Sequence, residues 1–248
     1  KKVTCFKVLR GRGVEGKISG KEIVIGNRTL MKEKKISFKT FEEIINIFEN
    51  EGKTTMIVAE KKKVIGVIAV ADAIKEDSIE ALNILNKEGY RTVMITGDNE
   101  RTAKAIAKQV GIKEIIANIL PEDKAKKVEE LQEQGMVAFV GDGINDAPAL
   151  KQANVGIAMG SGTDIAIEAG DLVLAKSSLI GVIQAMKLSK ATFRKIKQNL
   201  FWAFAYNVIA IPLAVAGLLH PVIAEIAMAL SSITVVTNAN LLRKIDIS

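Results

Sequence analysis

Hydrophobic and polar positions fall into three successive patterns along the chain. Up to about residue 70 the period is two. Thr4-Cys5-Phe6-Lys7-Val8 and Glu22-Ile23-Val24-Ile25 predict half-buried strands. Phe41, Ile44, Ile45 and Phe48 recur at the spacing of one helix face, and Gly52 suits the stop of that helix. Thr55 to Ala59 and Val64 to Val70 predict two more strands, joined by the polar turn Glu60-Lys61-Lys62-Lys63.

From about Ala71 to Leu188, continuous apolar runs alternate with amphipathic stretches. Ile79, Leu82 and Leu85 predict a helix ended at Gly89. Ala103, Ile106, Ala107 and Val110 predict another, ended at Gly111, and Ala125, Val128 and Leu131 a third, closed at Gly135. Strands are expected at Thr92 to Thr96, Ile115-Ile116, Met136 to Val140, Val155 to Met159 and Leu172 to Leu174. This rhythm predicts a parallel sheet covered by helices on both faces. The third pattern begins near Ser189. Leu200 to Leu219 is apolar over about twenty residues, the length that spans a bilayer. Gly217, His220 and Pro221 make a turn, and Val222 to Leu242 is a second, less apolar span.

Composition narrows the picture. The 248 residues leave room for one large or two modest domains. The chain starts with Lys, and Lys1 to Val14 holds no apolar signal-peptide core, so a fragment or processed product is expected. The single cysteine, Cys5, forms no internal disulfide, fits a reducing compartment and is expected to pack half-buried. His220 is the only histidine, so no zinc cluster is expected. Much of the net charge of +7 lies in Lys187, Lys190, Arg194, Lys195 and Lys197, just before the first span. That placement favours a membrane surface, and no aromatic-plus-basic motif points to nucleic acid. Arg243 and Lys244 follow the second span, while the turn between the spans carries no Lys or Arg. The positive-inside rule therefore puts both outer ends in the cytoplasm. Two buried helices of a soluble protein are the alternative.

Two apolar runs end alike. Val93-Met94-Ile95 leads into Thr96-Gly97-Asp98, and Val137 to Val140 leads into Gly141-Asp142-Gly143-Ile144-Asn145-Asp146. Ligands of parallel α/β sheets bind at the carboxyl ends of strands, where both polar segments would land. Glycines permit close backbone approach to an anion. Asp142 and Asp146 offer hard oxygens suited to Mg²⁺. Thr96 has a hydroxyl for a phosphoryl oxygen, and Lys124 has positive charge for a transferring phosphoryl group.

In combination these motifs are specific, and the chain resembles the P-type ATPases, a branch of the haloacid dehalogenase-like fold. Thr96-Gly97-Asp98 matches that family's TGD, Gly141 to Pro148 its GDGxNDxP, and Lys124 its Pro-x-x-Lys lysine. The resemblance implies that Asp142 binds magnesium, that Asn145 and Asp146 support the magnesium and phosphate site, and that Thr96 and Lys124 contact the phosphoryl group. The first region is similar to the C-terminal half of the nucleotide-binding domain of the heavy-metal subgroup, with Gly11, Gly13 and Asn27 near adenine and ribose. Gly11 to Gly16 also satisfies GxGxxG, but a strand pattern follows where a dinucleotide site needs a helix. The implied fold is α/β: a haloacid dehalogenase-like Rossmannoid parallel sheet, a partial antiparallel α+β nucleotide-binding domain and two C-terminal transmembrane helices. The corresponding domains are 1–70, 71–188 and 189–248, with spans at about 200–219 and 222–242.

Polar groups within the spans point to cargo, because they are costly in lipid unless turned inward. Tyr206-Asn207 interrupts the first span; Glu225, Met228 and Ser232 share one face of the second. Monovalent copper pumps carry Tyr-Asn and Met-x-x-Ser-Ser in their last two spans, and Tyr206-Asn207 and Met228 to Ser232 match both. A thioether suits Cu(I) or Ag(I) over hard cations. Glu225 is expected nearer the outer face, helping release. The resemblance implies ATP, Mg²⁺, Cu(I) or Ag(I), membrane lipid and a copper chaperone as cofactors, cargo and partners, and the cell membrane as location.

The 248 residues contain no DKTGT acceptor, TGE loop, His-Pro clamp or Cys-Pro-Cys site. In the family order all of these come earlier, so N-terminal truncation is expected, with the isolated chain inactive. Three rivals stand: a zinc or cadmium pump, a haloacid dehalogenase-like phosphatase using Asp72, and a membrane-anchored nucleotide- or magnesium-binding protein that is no enzyme.

Overall fold

The computed structural model describes all residues except 1, 10, 72, 75, 161, 219, 247 and 248, together with the side chains of Glu76 and Pro221. Asp72, on which the phosphatase rival rests, and Leu219, at the end of the first expected span, lie outside the described residues. The chain divides into two compact units, Lys1–Ile180 and Gly181–Ser248.

The first unit opens with a five-stranded antiparallel sheet in chain order: β1 (Val3–Leu9), β2 (Gly13–Ile18), β3 (Lys21–Gly26), β4 (Thr54–Glu60) and β5 (Lys63–Val70). Lys61 and Lys62, at φ 46° and 66°, turn β4 into β5 with the left-handed backbone that a two-residue hairpin requires. Two helices, α1 (Arg28–Glu33) and α2 (Glu42–Asn50), are inserted between β3 and β4. They pack on β3 and β4, where Val24, Leu30, Met31, Ile45, Ile57 and Ala59 form the core.

Three details differ from the sequence pattern. β1 is exposed rather than half-buried, with Phe6 61% and Val8 60% accessible, and Cys5 is exposed too. β1 is the edge strand, and only Leu9 at its end packs against the core, so the alternation from Val3 to Val8 covers none of it. Ile44 is 45% exposed, and the buried face of α2 is Ile45 with Glu49. A carboxylate replaces an apolar side chain there because Arg28 and Thr55 bond it. Short α1, which no pattern announced, starts at Asn27, whose side chain accepts from Leu30 N at 3.0 Å.

The rest of the unit alternates strand and helix: α3 (Glu76–Lys87), β6 (Val93–Ile95), α4 (Glu100–Val110), β7 (Glu114–Ile116), α5 (Lys124–Gln132), β8 (Ala138–Gly141), α6 (Ala147–Gln152), β9 (Val155–Met159), α7 (Asp164–Ala169) and β10 (Leu172–Leu174). Every pairing is parallel, in two hydrogen-bonded groups, β10-β9-β8 and β6-β7. Among the described residues no ladder joins β6 to β8. Gly111, at φ 80°, ends α4 in the left-handed conformation that glycine adopts without strain.

The second unit contains α8, an unbroken helix Ile180–Val215, and α9, Pro221–Asn240, extended by a 3-10 turn Leu241–Lys244. Both are long and apolar enough to cross a membrane, and their most apolar stretches are wholly unburied, unlike core helices of a soluble protein. α8 starts well before Leu200, so the basic residues 187–197 ride on the same helix as the apolar span. Lys195 Nζ donates to Asn238 Oδ1 at 2.8 Å, and Asn238 Nδ2 donates to Asn199 Oδ1 at 2.8 Å, tying α8 to α9.

Candidate phosphoryl-transfer site

The two glycine–aspartate loops leave the carboxyl ends of β6 and β8. After β8 the backbone closes into a 3-10 turn, Ile144–Asp146, and Pro148 sits in the first turn of α6, where its missing N–H costs nothing. Asp146 N donates to Gly143 O at 3.0 Å, and Gly143 N donates back to Asp146 Oδ2 at 3.1 Å. A Cβ on Gly141 would lie 2.7 Å from Asp146 Cβ, so only glycine lets the loop fold this tightly.

Lys124 begins α5, and its ammonium lies 2.7 Å from Asp146 Oδ1. Both oxygens of buried Asp146 are thereby engaged. Asp142 is exposed, and its carbonyl accepts from Thr163 N at 3.0 Å. Asn145 is exposed.

At the end of β6, Thr96 Oγ1 donates to Asp98 Oδ2 at 2.9 Å and accepts from Asp98 N at 3.1 Å. Gly97 passes close to the backbone at Ile119, where a Cβ would meet Ile119 O at 3.3 Å. Asn118 N and Ile119 N donate to Asp98 O and Thr96 O, locking the loop. Among the described residues no hydrogen bond joins the Thr96–Asp98 pair to the Lys124–Asp146 pair.

Among the described residues no three His, Cys, Asp or Glu side chains converge as a closed metal cage. The exposed Asp142 carboxylate nevertheless fits magnesium, which keeps several waters and shares phosphate oxygens instead of filling its sphere with protein. Asp146 could join as a ligand only when Lys124 moves off it.

Gly11, Gly13 and Asn27 form one corner. Asn27 Nδ2 donates to Gly11 O at 2.9 Å while Oδ1 caps α1, so this side chain holds the loop. Gly13, at φ 147°, would bring a Cβ within 2.1 Å of Ile25 O. The GxGxxG stretch runs into β2 and β3, without a helix.

Of the expected cargo residues in the second unit, Asn207 and Ser232 bond within their own helices. Asn207 Nδ2 donates to Ala203 O at 2.7 Å, and Ser232 Oγ donates to Met228 O at 3.2 Å. Tyr206 stands tilted against Trp202, with centroids 6.4 Å apart. Met228 is 72% exposed. Tyr206 and Asn207 lie on α8, and Met228 and Ser232 on α9.

Sequence reasoning missed Thr54, Glu49, Asn99 and Arg101. Asn99 had a local signal, an N-cap residue just before α4, where it accepts from Arg101 N and Thr102 N. Thr54 and Glu49 had none: Asp98 lies 44 residues from Thr54, and Arg28 lies 21 residues from Glu49.

Known proteins resemble this arrangement along nearly its whole length. The chain is 50% identical over 245 residues to a copper-exporting P-type ATPase of Staphylococcus saprophyticus, covering 98% of this chain and 31% of that protein. It is 50% identical over 243 residues to one of Staphylococcus aureus strain MW2, covering 97% of this chain and 30% of that protein. It thus spans about a third of the length of these curated relatives. The crystal structure of a zinc-transporting PIB-type ATPase in the E2.Pi state superposes with a TM-score of 0.72 at 37% identity, covering 97% of this chain and 39% of that one. The catalytic domain of the CPx-ATPase CopB-B, studied for its changes on nucleotide binding, matches at TM-score 0.52 and 29% identity over 73% of this chain and 64% of that one. The haloacid dehalogenase-like hydrolase profile matches residues 5–154, which carry both glycine–aspartate loops and Lys124, and the chain belongs to that family.

Proposed function

We propose that this chain is the part of a copper(I)-exporting P-type ATPase that completes its phosphoryl-transfer corner and supplies two membrane spans. The observation that carries the reading is Lys124 on Asp146 at the carboxyl end of β8, in a chain half-identical to copper-exporting pumps. The phosphoryl acceptor is an aspartate outside these 248 residues.

In the proposed reaction a carboxylate oxygen of that aspartate attacks the γ-phosphorus of ATP in line. The bond to the β,γ-bridging oxygen breaks and ADP leaves. Water then attacks the aspartyl phosphate at phosphorus, releasing phosphate and restoring the carboxylate. Lys124 swings from Asp146 to the phosphoryl oxygens, where positive charge is needed as negative charge develops. Thr96 donates its hydroxyl to the same group, positioned by Gly97 and Asp98. Asp142, with Asp146 and Asn145, would hold magnesium, which neutralises phosphate charge when bound. Gly11, Gly13 and Asn27 shape the edge that faces the nucleotide.

Tyr206, Asn207, Met228 and Ser232 pass the copper, and the soft thioether of Met228 favours Cu(I) or Ag(I). Glu225 assists outward release; unchanged transport in Glu225→Gln would remove it from that role. A cytosolic copper chaperone delivers the ion, lipid surrounds α8 and α9, and residues 1–199 and the C-terminus are cytoplasmic in a protein of the cell membrane. The test is ATPase activity of the intact protein with Cu(I) or Zn²⁺. Cu(I) stimulation is expected; stimulation by Zn²⁺ alone overturns the cargo. Rapid p-nitrophenyl phosphate turnover by the chain alone, lost in Asp72→Asn, would replace the pump with a phosphatase.

A further inference from the structure

Thr54 opens β4, directly after the turn that leaves α2. Its hydroxyl donates to Asp98 Oδ1 at 2.8 Å, across 44 residues of sequence. Two further links lie beside it. Thr102 Oγ1, in the first turn of α4 and fully buried, donates to Lys53 O at 3.1 Å. Arg101 donates to Asn46 of α2, and its Nη1 stands 3.9 Å from Glu49 Oε2. The antiparallel module therefore meets the parallel one at the start of α4, the helix that follows Thr96-Gly97-Asp98.

The two oxygens of Asp98 are divided between the modules. Oδ1 receives the hydroxyl of Thr54, and Oδ2 receives the hydroxyl of Thr96. A threonine hydroxyl has one proton, and that of Thr96 is committed to Asp98 in this arrangement. The Thr96 proton reaches a phosphoryl oxygen only by leaving Asp98, and the Thr54 hydroxyl on Oδ1 eases that turn from the other module by sharing the carboxylate's negative charge, so that without Thr54 the carboxylate holds the proton more firmly. We propose that Thr54 is a positioning residue of the phosphoryl site: through Asp98 it sets the Thr96 hydroxyl, and it does so only while the antiparallel module is docked on α4. The inference rests on the pump reading and adds that nucleotide-module docking is sensed at the phosphate loop by one hydrogen bond.

The test uses the intact pump with Thr54→Val and Thr54→Ser. Thr54 is exposed and starts a strand, so isosteric, β-branched valine keeps the fold while deleting the donor. Affinity for inorganic phosphate, read as aspartyl phosphate formed from phosphate, is expected to weaken about fivefold in Thr54→Val, the size of one hydrogen bond. KM for ATP should stay within about twofold, and Thr54→Ser should restore the phosphate affinity, since serine keeps the donor. Unchanged phosphate affinity in Thr54→Val overturns the role. Equal loss in both variants also overturns it, because packing and not the hydroxyl would then be at work. If the unsubstituted pump forms no aspartyl phosphate, the pump reading itself fails and takes this role with it, a result distinct from the other two.

Discussion

The ammonium of Lys124 rests on the carboxylate of Asp146 at 2.7 Å, with the two side chains only 18% and 12% exposed. A pair this shielded is held by mutual charge and is costly to break from one side. Lys124→Ala is expected to destabilise the protein by roughly 3 kcal/mol, because it strands the Asp146 charge. It should also lower aspartyl-phosphate formation by about 10²-fold or more. Adding Asp146→Asn to Lys124→Ala should recover much of the thermal stability and none of the phosphorylation. Recovery of both would make the pair structural only.

Gly162 guards the other carboxylate. A Cβ there would sit 2.7 Å from Asp142 O and 2.8 Å from Met159 O, both rigid backbone atoms. Gly162→Ala should push Asp142 aside and lower turnover, about 10²-fold for a displacement near 1 Å. The magnesium concentration for half-maximal activity should rise with it. A variant with normal turnover and normal magnesium demand would show that Asp142 tolerates displacement.

Glu49 is 2% exposed and gathers Arg28, Thr55 and, more distantly, Arg101. Glu49→Ala leaves the Arg28 guanidinium without its buried partner and should cost roughly 3 kcal/mol of unfolding free energy. Glu49→Gln keeps one acceptor and should cost less. Denaturant unfolding of the purified protein decides, and equal stability of all three would mean that water replaces the carboxylate.

Met228→Leu changes little volume and removes the thioether. In the intact protein it should abolish Cu(I)-stimulated ATP hydrolysis while leaving phosphorylation by inorganic phosphate unchanged. Retained Cu(I) stimulation would move the ion path away from α9.

Glu15 and Lys34 form a pair within the antiparallel module. The hydrogen bond from Lys34 holds the Glu15 carboxyl below its ordinary value of 4.5, and the same bond raises Lys34 above 10.5. For Glu15 the folded value is the lower, so its contribution to stability is present above about pH 4.5 and is lost as acid carries pH down through the folded value. For Lys34 the contribution is present below about pH 10.5 and is lost as pH rises through the raised folded value. The difference in melting temperature between the parent and Glu15→Gln should therefore be largest between those limits and vanish at more acid pH. A difference independent of pH would assign the effect to packing.

The architecture was legible to the extent that it is local. Ala103, Ala107 and Val110 recur every three to four residues, and they are the buried face of α4. Two apolar runs ending in glycine and aspartate marked the strand ends. Where one-dimensional pattern misled, position in space had replaced the usual rule: β1 alternates yet lies exposed at the sheet edge from Val3 to Val8, and α2 buries Glu49 because Arg28 lies beside it.

From the residues alone came the periods of helix and strand, the two membrane-length apolar stretches, and the chemical types in the loops after β6 and β8, because each depends on neighbours a few positions away. Tertiary structure alone decided which donor each carboxylate takes. Lys124 meets Asp146 across 22 residues and Thr54 meets Asp98 across 44. Such pairings depend on how sheets and helices are stacked, since a hydrogen bond needs its partners within about 3 Å and no residue spacing specifies that distance.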